Sequence, residues 1–167
     1  YSLSGYEKSV DPRYYHMNAG VLGLFDRFEL GWDNDFEKTT TFNVKVLLLE
    51  NHPRLKNFAL SAGWSTIHGG WKDPYVVGRY DLPQARFHAG WHRTAGRSRL
   101  IAGVDFPLGD STIMLDHISG ANGTSWAGVS VPIPGLPGLT VGAAVGRPNT
   151  SSDGWQHYVC AGYAFRF

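Results

Sequence analysis

Histidines and an arginine stand close together on one predicted strand, where they could bind a metal ion or an anion. Arg86, His88 and His92 are two to six residues apart and therefore share one face of an extended strand. A metal site would need a third ligand from a neighbouring strand, and the sequence pairs no carboxylate obviously with these histidines. We therefore predict that the histidines form hydrogen bonds, and we predict neither a metal nor a cofactor.

Charged residues of both signs recur on the same predicted strand faces. A row of cations could attract anions, as in narrow channels for acidic sugars. Because carboxylates occupy the same faces, cross-strand ion pairs are the other interpretation, and the one we favour. The cations are Arg27, Lys45, Arg86, Arg99 and Arg166, and the carboxylates are Glu29, Asp33, Asp105 and Asp116.

A serine and a histidine could form a hydrolase site facing lipid, as in barrel lipases. His157 is the outward-facing histidine of a predicted strand, and Ser130 is a candidate partner by position only. Nothing in their spacing brings the two side chains together. We therefore predict that the protein is not an enzyme.

These side chains are carried by segments of about ten residues in which apolar and polar residues alternate. Residues 98–107 show the pattern, with Leu100 and Phe106 on one face and Arg99 and Asp105 on the other. Such alternation predicts β-strands, and the Gly, Pro, Asn and Asp residues between the segments predict short turns. We predict about twelve strands (10–12) and no helix, with strands near 1–8, 14–24, 27–35, 39–50, 56–67, 75–82, 85–94, 98–107, 111–119, 124–132, 138–147 and 155–167.

Composition narrows the class of protein. The chain has 167 residues, enough for one domain over 1–167, with 21 glycines, 14% aromatic and 17% charged residues. This composition excludes a disordered chain and a helical bundle. A net charge of +1 gives no case for nucleic-acid binding. The single Cys160 excludes an internal disulfide and a cysteine zinc site. No signal peptide is visible, so we expect an exported protein to be present in its mature form.

The two strand faces predict an all-β, up-and-down antiparallel β-barrel with an apolar exterior and a polar lumen. Twelve strands enclose more space than these side chains could fill, which disfavours an apolar interior. Glycines such as Gly63 and Gly90 lie on the charged face, where small residues relieve crowding in a curved lumen. The predicted lumen-lining residues are Arg27, Glu29, Asp33, Lys45, Arg86, His88, His92, Arg99, Asp105 and Arg166. The predicted exterior aromatic belt is Phe28, Trp32, Trp64 and Trp91, with Trp126 and Tyr163 as further candidates.

The last predicted strand carries a recognisable pattern. It contains Gly162, Tyr163, Phe165 and Phe167, with aromatic residues at alternating positions up to the last residue of the sequence. This pattern resembles the C-terminal β-signal of Gram-negative outer-membrane β-barrel proteins, although Cys160 stands where that signal has a polar residue. The resemblance implies a bacterial outer membrane as location, with the lipid bilayer and the barrel-assembly machinery as partners.

Two functions follow as hypotheses. The first is a small passive pore in the outer membrane, with a bore set by strand number and by the pairing of charged side chains. The second is a non-enzymatic structural barrel, because a barrel with short loops and an apolar wall could pack against copies of itself. Such a protein would form extracellular tubes or fibres.

Overall fold

A computed structural model of the protein describes residues 17–35, 39–94, 96–121, 123–150 and 154–163. Strands joined by turns make up these residues, and the prediction of an all-β fold is confirmed. No helix in the described residues is long and apolar enough to cross a membrane. The strands are β1 (Met17–Leu24), β2 (Phe28–Asp35), β3 (Thr39–His52), β4 (Leu55–His68), β5 (Trp71–Leu82), β6 (Ala85–Thr94), β7 (Arg97–Leu108), β8 (Ser111–Ile118), β9 (Thr124–Pro132), β10 (Leu139–Pro148) and β11 (Gln156–Tyr163).

The strands form one antiparallel sheet in sequence order, so the predicted up-and-down connectivity is confirmed. Eleven strands are described, each close to a strand predicted from the alternation. The remaining predicted strand, 1–8, lies outside the described residues. Among the described strands the hydrogen-bonded order begins at β1 and ends at β11. Closure of the sheet into a barrel therefore stays a prediction.

Backbone contacts divide the chain into two compact units. The first unit comprises the chain up to Tyr80 together with Ala89–Leu100, and the second comprises Asp81–His88 and the chain from Ile101 onward. The prediction of a single domain over residues 1–167 stays a prediction.

The two faces of the sheet differ in both chemistry and exposure. In the first unit, Arg99 is 7% exposed while the next residue, Leu100, is 66% exposed. In the second unit, Asp105 is 6% exposed and Phe106 is 38% exposed. We call the face that carries Arg99 or Asp105 the polar face of its unit, and the opposite face the apolar face. Water-soluble sheets enclose their apolar side chains, whereas in this protein the apolar side chains are the more exposed ones.

A bulge in the β3–β4 hairpin changes which side chains reach each face. Strict alternation predicts Leu47 and Leu49 on the same face, but the register shifts between them. Leu47 pairs with Ser61 on the polar face, whereas Leu49 pairs with Leu60 on the apolar face. An extra residue on one strand has this effect because side chains alternate with a period of two.

Candidate functional site

Ion pairs and hydrogen bonds join neighbouring strands across the polar face of the first unit. Glu29 on β2 and Lys45 on β3 are direct register partners, and Lys45 Nζ lies 2.5 Å from Glu29 Oε2. Two residues from Lys45 on β3, Asn43 Nδ2 donates to Asp33 Oδ2 at 2.5 Å. The carbonyl oxygen of the Asn43 amide accepts a hydrogen bond from the Thr66 backbone N–H at 3.1 Å. These contacts tie β2, β3 and β4 together through side chains as well as through the ladder.

A second ion pair spans three strands because the residue between its members is small. Glu50, Ala59 and Arg79 are register partners on β3, β4 and β5. Arg79 Nη2 donates to Glu50 Oε1 at 2.8 Å, and Ala59 is 4% exposed. A larger side chain at position 59 would stand in the path of this ion pair. The β3 bulge is what brings Glu50 to the polar face.

His92 is the centre of a hydrogen-bonded group in the first unit. Its Nε2 lies 2.9 Å from Ser65 Oγ, and its Nδ1 lies 2.9 Å from Thr94 Oγ1. Ser65 Oγ also donates to the backbone oxygen of Asp73 at 3.3 Å. The Tyr75 ring meets the imidazole edge-on, with the ring centroids 6.3 Å apart.

The role of Ser65 in this group depends on the tautomer of His92. If Ser65 donates its one proton to the Asp73 carbonyl, it accepts from His92 Nε2–H. His92 Nδ1 then accepts from the Thr94 hydroxyl. A serine nucleophile needs the reverse arrangement, in which the imidazole accepts the hydroxyl proton. In this arrangement, which satisfies all three contacts, the Ser65 proton points to the Asp73 carbonyl and His92 does not activate the hydroxyl.

In the second unit, charged side chains pair across the β5–β6 turn and again further along the strands. Arg86 Nε donates to Asp81 Oδ1 at 2.6 Å across the β5–β6 turn. His88 Nε2 lies 2.9 Å from Asp105 Oδ2. Asp116 is opposite Gly103 in the β7–β8 register, and a Cβ at position 103 would collide with the Asp116 carboxylate. The glycine therefore makes room for the acidic side chain.

The predicted lumen-lining residues are found in several different places. Glu29, Asp33, Lys45, His92 and Arg99 lie on the polar face of the first unit, and Arg86, His88 and Asp105 lie on that of the second. Arg27 is in the turn before β2 and is exposed. Arg166 lies outside the described residues. Alternation did not single out Asp73, Arg79, Asp81 or Glu50, whose positions depend on register between strands.

The predicted exterior residues are mostly on the apolar face. Phe28, Trp32 and Trp64 are each about half exposed, and Trp91 is partly exposed. Trp126 is different, since its ring packs over Gly146 on the less exposed face of β9 and β10. The expectation that Trp126 belongs to an exterior belt is therefore wrong. Tyr163 and Gly162 end β11, whereas Phe165 and Phe167 lie outside the described residues.

Other arrangements considered from sequence are not assembled in the described part of the chain. Ser130 pairs with Gly142 on the less exposed face, while His157 pairs with Val145 and is exposed, so the two lie on opposite faces. Within the described residues, no group of three His, Cys, Asp or Glu side chains could hold a metal ion. What the polar face offers chemically is a set of paired charges and hydroxyl groups that water can hydrate.

Carboxylates outnumber cations on the described polar face. The first unit holds Glu29, Asp33, Glu50 and Asp73 against Lys45, Arg79, Arg97 and Arg99. The second unit holds Asp81, Asp105 and Asp116 against Arg86. No family model matches the chain, and no curated protein and no solved structure matches it.

Proposed function

We propose that the chain forms a closed β-barrel in a bacterial outer membrane, where it acts as a small passive pore. The observation that carries this proposal is the reversed exposure of the two faces, illustrated by Arg99 and Leu100. Among the described residues only Ala59, Ala85 and Ile101 are buried apolar side chains. A sheet with so little apolar core gains stability when its apolar face meets lipid and its polar face meets water in a lumen.

The spacing of aromatic side chains along β4 and β5 supports a bilayer as the environment of the apolar face. Phe58 and Tyr80 are register partners near one end of this strand pair, and Trp64 faces Pro74 toward the other end. Six residues of β-strand separate Phe58 from Trp64, a distance of about 20 Å. Aromatic girdles in outer-membrane barrels flank an apolar band of about 25 Å.

Cations lie beyond both aromatic positions, as expected for side chains that reach lipid head groups. Lys72 Nζ is 6.0 Å from the centroid of the Trp64 ring. Arg54 and Lys56 are exposed at the opposite end, in and beside the β3–β4 turn. Packing of the apolar face against a second copy would require neither of these layers. The bilayer is therefore favoured over the fibre.

Strand number is consistent with closure by one further strand. Bacterial single-chain outer-membrane barrels have an even number of antiparallel strands. Eleven described strands leave β1 and β11 running in the same direction, so antiparallel closure requires a twelfth. The strand predicted at 1–8 would supply it, and that segment lies outside the described residues.

The polar face predicts the ion preference of the pore. Twelve strands at a tilt of about 40° place the backbone about 12 Å from the barrel axis, which leaves a narrow lumen between long side chains. Seven carboxylates face five cations in the described residues of this face. The proposed pore is therefore weakly selective for cations.

Extraction and conductance together test the proposal. Cells are fractionated with and without a neutral detergent, and the purified protein is added to a planar bilayer with a KCl gradient. Extraction only with detergent, and a reversal potential of the sign for cation flow, are the expected results. Filaments sedimenting from detergent-free medium without conductance would instead identify the structural barrel. A monomer soluble without detergent would overturn both.

A further inference from the structure

A shallow cavity opens at the tip of the β3–β4 hairpin, on the apolar face of the first unit. Its volume is about 460 Å³. The turn residues supply one side of the cavity and the adjoining strand ends supply the other. It is lined by Pro53, Arg54, Leu55, Lys56, Phe58 and Tyr80.

Two kinds of chemistry meet in this cavity. Arg54 and Lys56 place two exposed cations at the hairpin tip. Directly below them, Phe58 and Tyr80 are cross-strand partners, and Tyr80 is 44% exposed. The Phe58 ring lies over Gly78, where an added Cβ would be 3.2 Å from the ring. The glycine thus leaves space for the ring to lean along the strand.

The charge at the tip is not cancelled by the acidic residue closest along β3. Glu50 is bound to Arg79 on the polar face, 2.8 Å away. The bulge in β3 is responsible, because it turns the Glu50 carboxylate away from the face that carries Phe58 and Tyr80. The cavity therefore has a cationic end and an apolar end, with the boundary at the aromatic pair.

We propose that this cavity binds the head group of a phosphate-bearing amphiphile. The phosphate contacts Arg54 and Lys56, and the hydrocarbon chain lies along Tyr80, Phe58 and then Leu60. A guanidinium and an ammonium together suit a phosphate, since the first gives a bidentate contact and the second a point charge. The position on the apolar face rests on the proposed function, because a lipid molecule reaches this face only where it is open to a bilayer.

Native mass spectrometry of the full chain, released from a neutral detergent, tests the proposal directly. The probes are decyl phosphate, decyl glucoside with the same chain and a neutral head, and inorganic phosphate without a chain. We expect decyl phosphate adducts at concentrations at which neither other probe binds. The double variant Arg54→Gln/Lys56→Gln should weaken decyl phosphate binding by about tenfold.

The matched control removes two other exposed arginines of the same unit. Arg93→Gln/Arg97→Gln changes the net charge by the same amount, and neither residue lines the cavity. This variant should bind decyl phosphate as the unchanged protein does. An equal loss in both double variants would show general charge attraction and overturn the site.

Other outcomes also decide the question. Equal binding of inorganic phosphate would reduce the cavity to an anion site, and equal binding of decyl glucoside would reduce it to an apolar contact; each overturns the proposal. The assay requires neither conductance nor membrane insertion. A conducting protein without decyl phosphate preference would refute this inference alone, and a binding protein without conductance would refute the pore alone.

Discussion

His88 Nε2 and Asp105 Oδ2 lie 2.9 Å apart on the polar face of the second unit, with side chains 16% and 8% exposed. The next residue along the strand, Phe106, is much more exposed than either. A partly enclosed pair of this kind loses more when one member is removed than a pair on an open surface does, because the remaining group keeps its desolvation cost.

A double-mutant cycle should therefore detect coupling between these two residues. We expect His88→Ala and Asp105→Ala each to lower the free energy of unfolding by about 1–3 kcal/mol. The double variant should lose about 1 kcal/mol less than the sum, since the contact can be lost only once. Denaturant unfolding of the protein in detergent measures all four forms.

His117 provides the control for this cycle. Its Nδ1 lies 2.9 Å from Ser125 Oγ, but both residues are exposed. His117→Ala should change the unfolding free energy by no more than about 0.5 kcal/mol. Additive effects at His88 and Asp105 would contradict the importance we give to their contact.

Alternation was sufficient to predict the strands because each strand has one polar and one apolar face. Arg99 and Leu100 illustrate the point, since their chemistry alone predicts opposite faces and their exposures differ nearly tenfold. The same pattern predicted the sequence order of the strands, because every turn is too short for any other connection. Closure of the sheet depends on pairing between the first and last strands, which alternation does not address.

Register is the property that alternation could not predict. The bulge between Leu47 and Leu49 reverses the faces of Leu49 and Glu50, which follow it, and no turn residue in that segment marks it. Trp126 was assigned to the wrong face because the alternation around it is weak. Its neighbours Ser125 and Ala127 are small and differ little in polarity, so the pattern does not fix the face, whereas Gly146 opposite provides the space for the ring.

The sequence predicted that charged residues would form cross-strand ion pairs, but it did not predict which residues would pair. Glu29 and Lys45 could be matched in principle, because only three residues of sequence separate β2 from β3. Arg79 and Glu50 are joined across Ala59, and their contact requires the registers of two strand pairs and the bulge between them. Alternation within a single sequence supplies none of this information.

Gly63 should be intolerant of any side chain. It lies on the polar face, where an added Cβ would collide with the backbone oxygen of Val44 and approach the Tyr75 hydroxyl to 2.8 Å. Since backbone cannot move aside easily, we expect Gly63→Ala to lower the unfolding free energy by about 1–3 kcal/mol. Gly23→Ala is the control, because open space surrounds that position, and it should have little effect in the same denaturant titration. Equal stability of the two variants would contradict the close contact between β3 and β4 at Gly63.

Removing a cation from the polar face should increase the proposed cation preference. Lys45→Gln leaves Glu29 without its 2.5 Å partner. A charge about 6 Å from a passing ion in water changes its energy by about 0.7 kcal/mol, a factor of about three before salt screening. We expect the cation-to-anion permeability ratio, taken from reversal potentials in a KCl gradient, to rise about twofold.

Arg93→Gln is the control for this measurement. It removes the same charge from an exposed position on the face that carries Phe87, so the permeability ratio should not change. A similar rise in both variants would mean that the ions do not pass along the polar face.

The apolar face can be tested by placing a charge at two depths. Leu115 lies in the middle of β8 and is 42% exposed, while Leu108 is 63% exposed at the end of β7. In a bilayer an arginine costs about 2–4 kcal/mol at the midplane and about 0–1 kcal/mol near the interface. Leu115→Arg should therefore be more destabilising than Leu108→Arg in denaturant unfolding from lipid vesicles. In water the two substitutions should differ little, because both side chains already contact solvent. Equal costs in vesicles would thus contradict lipid as the environment of this face, and would therefore contradict the proposed pore.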